Sequence, residues 1–314
     1  MKEKIYAIVG PTASGKSSLA LEIAERFDGE IVSCDSMQIY KRMNVGTAKP
    51  TAEEMARVRH HMIDIAEPTE SFSCADYVTE AAEVIRDIHS RGKKPIVCGG
   101  TGLYLDALIR GSDFKEGITD TALREELMEY VREHGAEALY RELQRVDPES
   151  AAATHPNNVK RVVRAMEIYK LCGTPKSQLD RESREGEPRY DVSSVGLFYS
   201  QRDVLYERIE RRVDMMLDAG LERETRELFA EGVFEKNATA AQAIGYKELL
   251  SYVRGEESLQ AAVDRLKTAT RRYAKRQITW FSAKDYVRAL DITENGTQKT
   301  FEEIVNITSQ LFFC

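Results

Sequence analysis

Ile5-Tyr6-Ala7-Ile8-Val9-Gly10-Pro11-Thr12-Ala13-Ser14-Gly15-Lys16-Ser17 decides the fold. Five apolar residues ending in a glycine have the length and composition of a buried strand. The stretch Gly10 to Ser17 satisfies G-x-x-x-x-G-K-[ST], whose glycines let successive backbone N–H groups turn inward toward phosphate oxygens. Ser17 to Phe27 then reads as a helix, with its N-terminus behind the loop. Strand, loop and helix in that order are the context the pattern requires. Gly10, Pro11, Thr12, Ala13, Ser14, Gly15, Lys16 and Ser17 are therefore read as a loop for a diphosphate or triphosphate. Lys16 supplies a mobile positive charge, and the Ser17 hydroxyl is the candidate ligand for Mg²⁺.

Outward from this stretch, Glu30 to Cys34 reads as a second strand, Met62 to Ile65 as a short one and Pro95 to Cys98 as another. A helix covers Cys74 to His89. The βαβ rhythm predicts an α/β fold: a P-loop NTPase-like core with a parallel sheet flanked by helices. From Thr121 the pattern turns helical and amphipathic through Leu123, Leu127, Tyr130 and Val131, then Leu139, Leu143 and Val146. A helix from near Pro156 to Cys172 is stopped by Gly173, and Lys176 to Arg189 reads as a polar loop. Val192 to Tyr199 returns to strand character, followed by helices at 202–219, 221–231, 246–254, 258–280 and near 301–312. The expected organisation is a core of 1–112 and 190–314, with a helical C-terminal part, interrupted by a small helical insertion domain at 113–189.

The 314 residues are 42% hydrophobic and 31% charged, proportions of a globular protein. No run approaches eighteen apolar residues, so no membrane span is expected, and the N-terminal apolar run is too short for a signal peptide. Five cysteines (34, 74, 98, 172 and 314) are an odd number without a Cys-x-x-Cys pair. That argues against a disulfide framework or a zinc site and points to the cytoplasm. His60-His61 have no partners at ligand spacing, which leaves them a structural role. The net charge of −7 disfavours a polyanion partner only if spread evenly. It is not: Lys160, Arg161 and Arg164 form one basic cluster, and residues 259–288 hold Arg265, Lys267, Arg271, Arg272, Lys275, Arg276, Lys284 and Arg288 against two acids.

A phosphate loop does not name a reaction. Asp35 and Asp64 follow apolar runs, at strand ends where ligands bind in such folds, and either could hold Mg²⁺. The strand from Pro95 ends in Cys98-Gly99-Gly100-Thr101-Gly102, where paired glycines let backbone and Thr101 approach a substrate; a helix-capping threonine is the other reading. On helix 202–219, Leu205, Ile209, Val213 and Met216 form an apolar stripe. At 100° per residue, Arg212 lies about 20° from it, whereas Arg211 points away.

Several motifs taken together resemble the tRNA dimethylallyltransferases, also called tRNA isopentenyltransferases. They are Gly-Pro-Thr-Ala-Ser-Gly-Lys-Ser (10–17), Ser-Cys-Asp-Ser-Met-Gln-Ile-Tyr (33–40), Asn-Val-Gly-Thr-Ala-Lys-Pro (44–50), Gly-Gly-Thr-Gly-Leu-Tyr (99–104), His-Pro-Asn (155–157), Ile-Gly-Tyr-Lys (244–247) and Lys-Arg-Gln-Ile-Thr-Trp-Phe (275–281). The resemblance implies transfer of a dimethylallyl group from dimethylallyl diphosphate to N6 of the adenosine just 3′ of the tRNA anticodon. It assigns the general base to Asp35, a place beside the reacting centre to Thr101, and diphosphate contacts to Lys16 and to Arg212 in Ile-Glu-x-Arg.

For the tRNA anticodon stem-loop the resemblance and the basic clusters together offer Asp35, Ser36, Met37 and Gln38; Lys160, Arg161, Val162, Val163 and Arg164; Gln242, Gly245, Tyr246 and Lys247; and Lys275, Arg276, Gln277 and Trp280. Aromatics such as Trp280, Phe281 or Tyr246 could stack on bases. The recurrence of Leu266, Tyr273 and Trp280 every seven residues instead predicts a core position for Trp280. Mg²⁺ is the implied cofactor, with no zinc, and the chain is expected to act as a monomer. Three alternatives stay open: an adenylate isopentenyltransferase on free AMP, ADP or ATP, a nucleoside or nucleotide kinase, and a non-enzymatic P-loop RNA-binding switch.

Overall fold

A computed structural model describes residues 2–111 and 120–313. Six strands, β1 Lys4–Val9, β2 Gly29–Ser33, β3 His60–His61, β4 Lys94–Gly99, β5 Asp191–Phe198 and β6 Arg288–Asp291, form one sheet in the order β3-β2-β4-β1-β5-β6. Every pairing is parallel; Ile8 on β1 lies opposite Cys98 on β4 and Val195 on β5. The apolar run of β1 is continuous because both of its faces are covered. Ile5, Ala7 and Val9 enter one core with Val32 and Val97, while Tyr6 and Ile8 enter the other with Ile31 and Ile96. Full burial of each large aliphatic side chain contributes about 1.5–3 kcal/mol, which holds β1 rigidly below the loop it feeds.

The helices follow the same division. Helix α1, Lys16–Arg26, puts Leu19, Ala20 and Ile23 into the core of Tyr6 and Ile8. After α2, Ala52–Arg57, the helix α3, Cys74–Ser90, packs Tyr77, Ala81 and Ile85 on the opposite face, its start fixed by a Ser73/Asp76 capping box. Helix α4, Gly102–Arg110, joins that face through Tyr104, Leu105 and Leu108.

Residues Arg110–Arg189 form a second compact unit, separate from Met1–Ile109 with Tyr190–Cys314. The expected boundary at 112/113 lies outside the described residues, as does Cys314. The unit holds α5 Thr121–His134, α6 Ala136–Val146, α7 Pro148–Ala152, α8 Val159–Cys172 and α9 Lys176–Glu185. Leu127, Leu139, Leu143, Val162, Val163 and Met166 are its core. Glu167 is fully buried there and accepts from Arg124, Arg164 and the Asp120 amide. Its charge is thereby paired and its carboxyl held below the usual range, although burial alone works the other way.

Past β5, the C-terminal part of the larger unit comprises α10 Arg202–Asp218, α11 Leu221–Ala230, α12 Val233–Lys236, α13 Leu250–Val253, α14 Leu259–Ser282 and α15 Phe301–Phe313. Three local readings are corrected. The stretch 176–185 is a helix rather than a loop: the pairs Lys176–Asp180 and Gln178–Glu182 at i,i+4 support a polar helix that periodicity cannot detect. The short strand is His60–His61, not 62–65, because Met62 and Asp64 both take positive φ and turn the chain. The helix read at 246–254 is a 3₁₀ turn, Lys247–Leu249, leading into α13.

Candidate active site

The phosphate loop joins β1 to α1. Gly10 has φ +147° and no room for a side chain, since a Cβ would come 2.8 Å from Leu197 O; Gly15 takes φ +94° at the head of α1. Between them Ala13 also adopts the left-handed region, at φ 63°. A curl this strained needs outside support. Gln277 Oε1 accepts the Thr12 N–H at 2.8 Å, Arg208 Nε donates to Ala13 O at 2.9 Å, and the Tyr199 hydroxyl donates to Ser14 O at 3.1 Å. Lys16 Nζ folds back to Pro11 O at 3.3 Å. The buried Ser14 hydroxyl has no hydrogen-bond partner among the described residues.

The loop borders a cleft of about 600 Å³, whose lining includes Lys16, Ser17, Asp35, Arg212, Tyr273 and Arg276. Lys16 and Arg212 are half-buried, whereas the neighbouring Arg211 is exposed. Burial holds both their pKa values below the ordinary range; Arg212 depresses Lys16 further, and the Asp35 charge acts the opposite way on both. Neither cation has an ion-pair partner among the described residues. Two sequestered positive charges that feel the single nearby carboxylate of Asp35 leave this part of the cleft short of negative charge.

Asp35 stands just beyond β2. Its Oδ1 accepts from the Met37 amide at 2.9 Å, and its Oδ2 has no protein partner among the described residues. Thr101 heads α4, yet its hydroxyl does not cap that helix. It accepts the Ser36 amide at 3.0 Å and lies close to the Tyr273 hydroxyl, and both Ser36 and Tyr273 line the cleft. Gly99 makes this approach possible, since a Cβ there would lie 2.0 Å from Cys34 O. Burial, and next the Asp35 charge, raise the Tyr273 pKa, so this hydroxyl stays protonated.

The opposite wall is an ordered knot. The Glu224 carboxylate accepts the N–H groups of Asn44, Val45 and Gly46 at 3.0, 2.9 and 3.1 Å, and the Tyr246 hydroxyl donates to it at 2.6 Å. Gln38 ties the segment after Asp35 to this knot: its Oε1 accepts from Ser33, and its Nε2 donates to Thr47 O and Ala48 O. Asp64, the other candidate at a strand end, is bound to Lys49 Nζ at 2.6 Å and does not line the cleft. Nor does a histidine metal pair form: His60 bonds Val58 O and His61 bonds Glu30.

The remaining RNA candidates divide by burial. Ser36, Met37, Gln38, Gln242, Gly245 and Lys247 line the cleft with Arg276, and Lys160, Arg161 and Lys275 are exposed. Val162 and Val163 are core residues of the helical unit, and Arg164 is engaged by Glu167. Tyr246 is fully buried and Gln277 nearly so, although Gln277 still borders the cleft; both side chains are engaged in hydrogen bonds within the protein. Trp280 is corrected the other way: it is 39% exposed, packed over Gly102 with Lys284 Nζ 4.9 Å from its ring centroid. A sevenfold spacing drifts about 20° per repeat on a straight helix, so the face begun by buried Leu266 has rotated outward by Trp280. Sequence reasoning missed Tyr273 as a cleft residue and Arg208 as a loop support. The available signal was that Arg208 lies one helical turn before Arg212.

A family model described as IPP transferase matches residues 38–284. The tRNA dimethylallyltransferase of Caldanaerobacter subterraneus is 47% identical over 305 residues, covering 97% of this chain and 96% of its own. The chain belongs to the IPP transferase family. Its relative in Halalkalibacterium halodurans, also named tRNA dimethylallyltransferase, is 46% identical over 98% of this chain and 96% of its own. Among solved structures, the full-length tRNA isopentenylpyrophosphate transferase of Bacillus halodurans aligns with TM-score 0.71 at 44% identity, covering 99% and 97% of the two chains. A eukaryotic dimethylallyltransferase acting on tRNA aligns with TM-score 0.81 at 30% identity, covering 98% of this chain and 79% of that one. The family match begins after the phosphate loop, whereas the full-length relatives span nearly the whole chain.

Proposed function

We propose that this protein transfers a dimethylallyl group from dimethylallyl diphosphate to N6 of the adenosine immediately 3′ of the anticodon in tRNA. The observation that carries this reading is the placement, in one cleft, of two cations that have no ion-pair partner among the described residues with a carboxylate that has a free oxygen. The cations fit a departing diphosphate, and the carboxylate fits a nucleophile that must lose a proton. The bond between allylic carbon and bridging oxygen breaks, and its electron pair leaves with the diphosphate. The N6 lone pair forms the new C–N bond, while the N6 proton passes to Asp35 Oδ2. Loop amides, Lys16 and Arg212 meet charge that grows in the transition state, where fixed donors help most.

Ser17 is exposed to the cleft beside Lys16 and offers an oxygen donor, the kind Mg²⁺ takes. Among the described residues no three His, Cys, Asp or Glu side chains converge as a metal cage. Ser17 would hold a Mg²⁺ there, and the ion would neutralise part of the leaving charge. Lys160 and Arg161 in the helical unit, with Lys275 and Arg276 on α14, supply cations for tRNA phosphates, and the exposed Trp280 a face for stacking. The free thiols Cys34, Cys74, Cys98 and Cys172 suit a reducing cytoplasm. No helix among the described residues is long and apolar enough to cross a membrane.

The test is incubation with labelled dimethylallyl diphosphate and Mg²⁺, adding an anticodon stem-loop, AMP or ATP in separate reactions. Label should appear on the stem-loop adenosine. Label on AMP alone would overturn the tRNA assignment, and phosphoryl transfer from ATP without prenylation would restore the kinase alternative.

A further inference from the structure

Helix α14 presents Lys275, Arg276 and Trp280 outward, yet it buries Gln277 to 5% exposure. A buried glutamine whose amide found no partner would be destabilising, because the desolvation of its polar atoms would go uncompensated. This one is satisfied at both ends, by groups on two other elements. Its Oε1 accepts the Thr12 N–H at 2.8 Å, and its Nε2 donates to Gly100 O at 2.9 Å. Thr12 belongs to the phosphate loop, and Gly100 to the turn that delivers Thr101. One planar amide thus ties α14 to both halves of the diphosphate side of the cleft. The fit depends on the missing side chain at Gly100, where a Cβ would sit 2.2 Å from Gln277 Nε2. The bond also occupies the Thr12 N–H and fixes the Pro11–Thr12 peptide, one residue ahead of left-handed Ala13.

Resting on the functional reading above, we infer that Gln277 is a positioning residue that couples RNA docking on α14 to the shape of the diphosphate loop. Arg276 and Gln277 are consecutive and both border the cleft, but Arg276 is exposed whereas Gln277 is buried in its hydrogen bonds to the loop and to Gly100. Contacts that seat the basic face of α14 therefore also seat the amide, and the amide sets the curl of residues 12–15. Coupling of this kind is reciprocal: each substrate tightens the other by the same factor.

The experiment measures equilibrium binding of the unreactive thiolo analogue of dimethylallyl diphosphate, with and without an anticodon stem-loop, and the converse. Wild type should show mutual tightening of about fivefold or more. Gln277→Met removes both hydrogen bonds at similar volume and should bring the factor within about twofold of unity, while each ligand still binds alone. Gly100→Ala perturbs the same amide from its other end without altering α14 and should reproduce the effect, so a folding failure in one variant leaves the other decisive. Undiminished coupling in a folded variant, or none in a wild type that binds both ligands, overturns the inference alone. A wild type that does not bind the analogue overturns the functional reading beneath it.

Discussion

Replacing Asp35 by Asn separates a base from every other role this residue could have. Oδ1 accepts the Met37 amide at 2.9 Å, a bond that a carboxamide oxygen also makes, so the turn after β2 should survive. What disappears is a partner-free Oδ2 able to take a proton. General-base catalysis contributes about 10²–10⁴-fold, or roughly 3–5 kcal/mol of barrier at 1.36 kcal/mol per decade. A second effect runs the other way. The Asp35 charge partly compensates Lys16 and Arg212, and without it those cations should hold diphosphate at least as tightly. The expected signature is a collapsed single-turnover rate with unchanged or improved analogue affinity. The assay is single-turnover prenylation of an anticodon stem-loop across a Mg²⁺ titration, for wild type and Asp35→Asn. Recovery of most of the rate at high Mg²⁺ would show that Asp35 is a metal ligand and would refute the base assignment; so would a parallel loss of analogue affinity.

Reversing Lys275 and Arg276 to Glu should weaken stem-loop binding whatever its sequence and reduce the salt slope by roughly 0.7–0.9 for each phosphate that the helix no longer neutralises. An unchanged slope would make them an ordinary solvated face. Gly46→Ala would put a Cβ 2.4 Å from Tyr246 Cζ, inside a fully buried contact, and should destabilise the larger unit by about 1–3 kcal/mol, read as a lower Tm. A wild-type Tm would show that the 44–50 knot has slack. The hydrogen bonds from Arg91, and secondarily from His61, hold the Glu30 pKa at about 2, against an ordinary 4.5. A depressed carboxylate contributes stability that is complete above about pH 4.5 and is lost as pH falls toward 2. Arg91→Ala should therefore flatten the acid limb of the stability–pH curve, and parallel limbs in denaturant titrations from pH 2 to 5 would contradict this origin.

The parts of the cleft legible in the sequence are those that a local pattern encodes. The strand, the glycines of the phosphate loop and the start of α1 are contiguous, and Arg212 could be placed by helical phase alone. The residues that support the loop could not. Gln277, Arg208 and Tyr199 stand 265, 195 and 185 residues from their partners, and nothing local in a glutamine or an arginine records such a bond. A second kind of miss came from treating a short motif as one face. At 100° per residue, successive helical positions cannot share an environment. Lys160 and Arg161 are exposed while Val162 and Val163 fill the core, and Lys275 and Arg276 are exposed while Gln277 enters the loop support. The motif Lys-Arg-Gln-x-Thr-Trp is therefore two specifications interleaved on one helix. Its basic positions face outward, and its glutamine fixes backbone geometry 265 residues earlier in the chain. Substitution at one set is expected to be felt at the other because both move with a single rigid element.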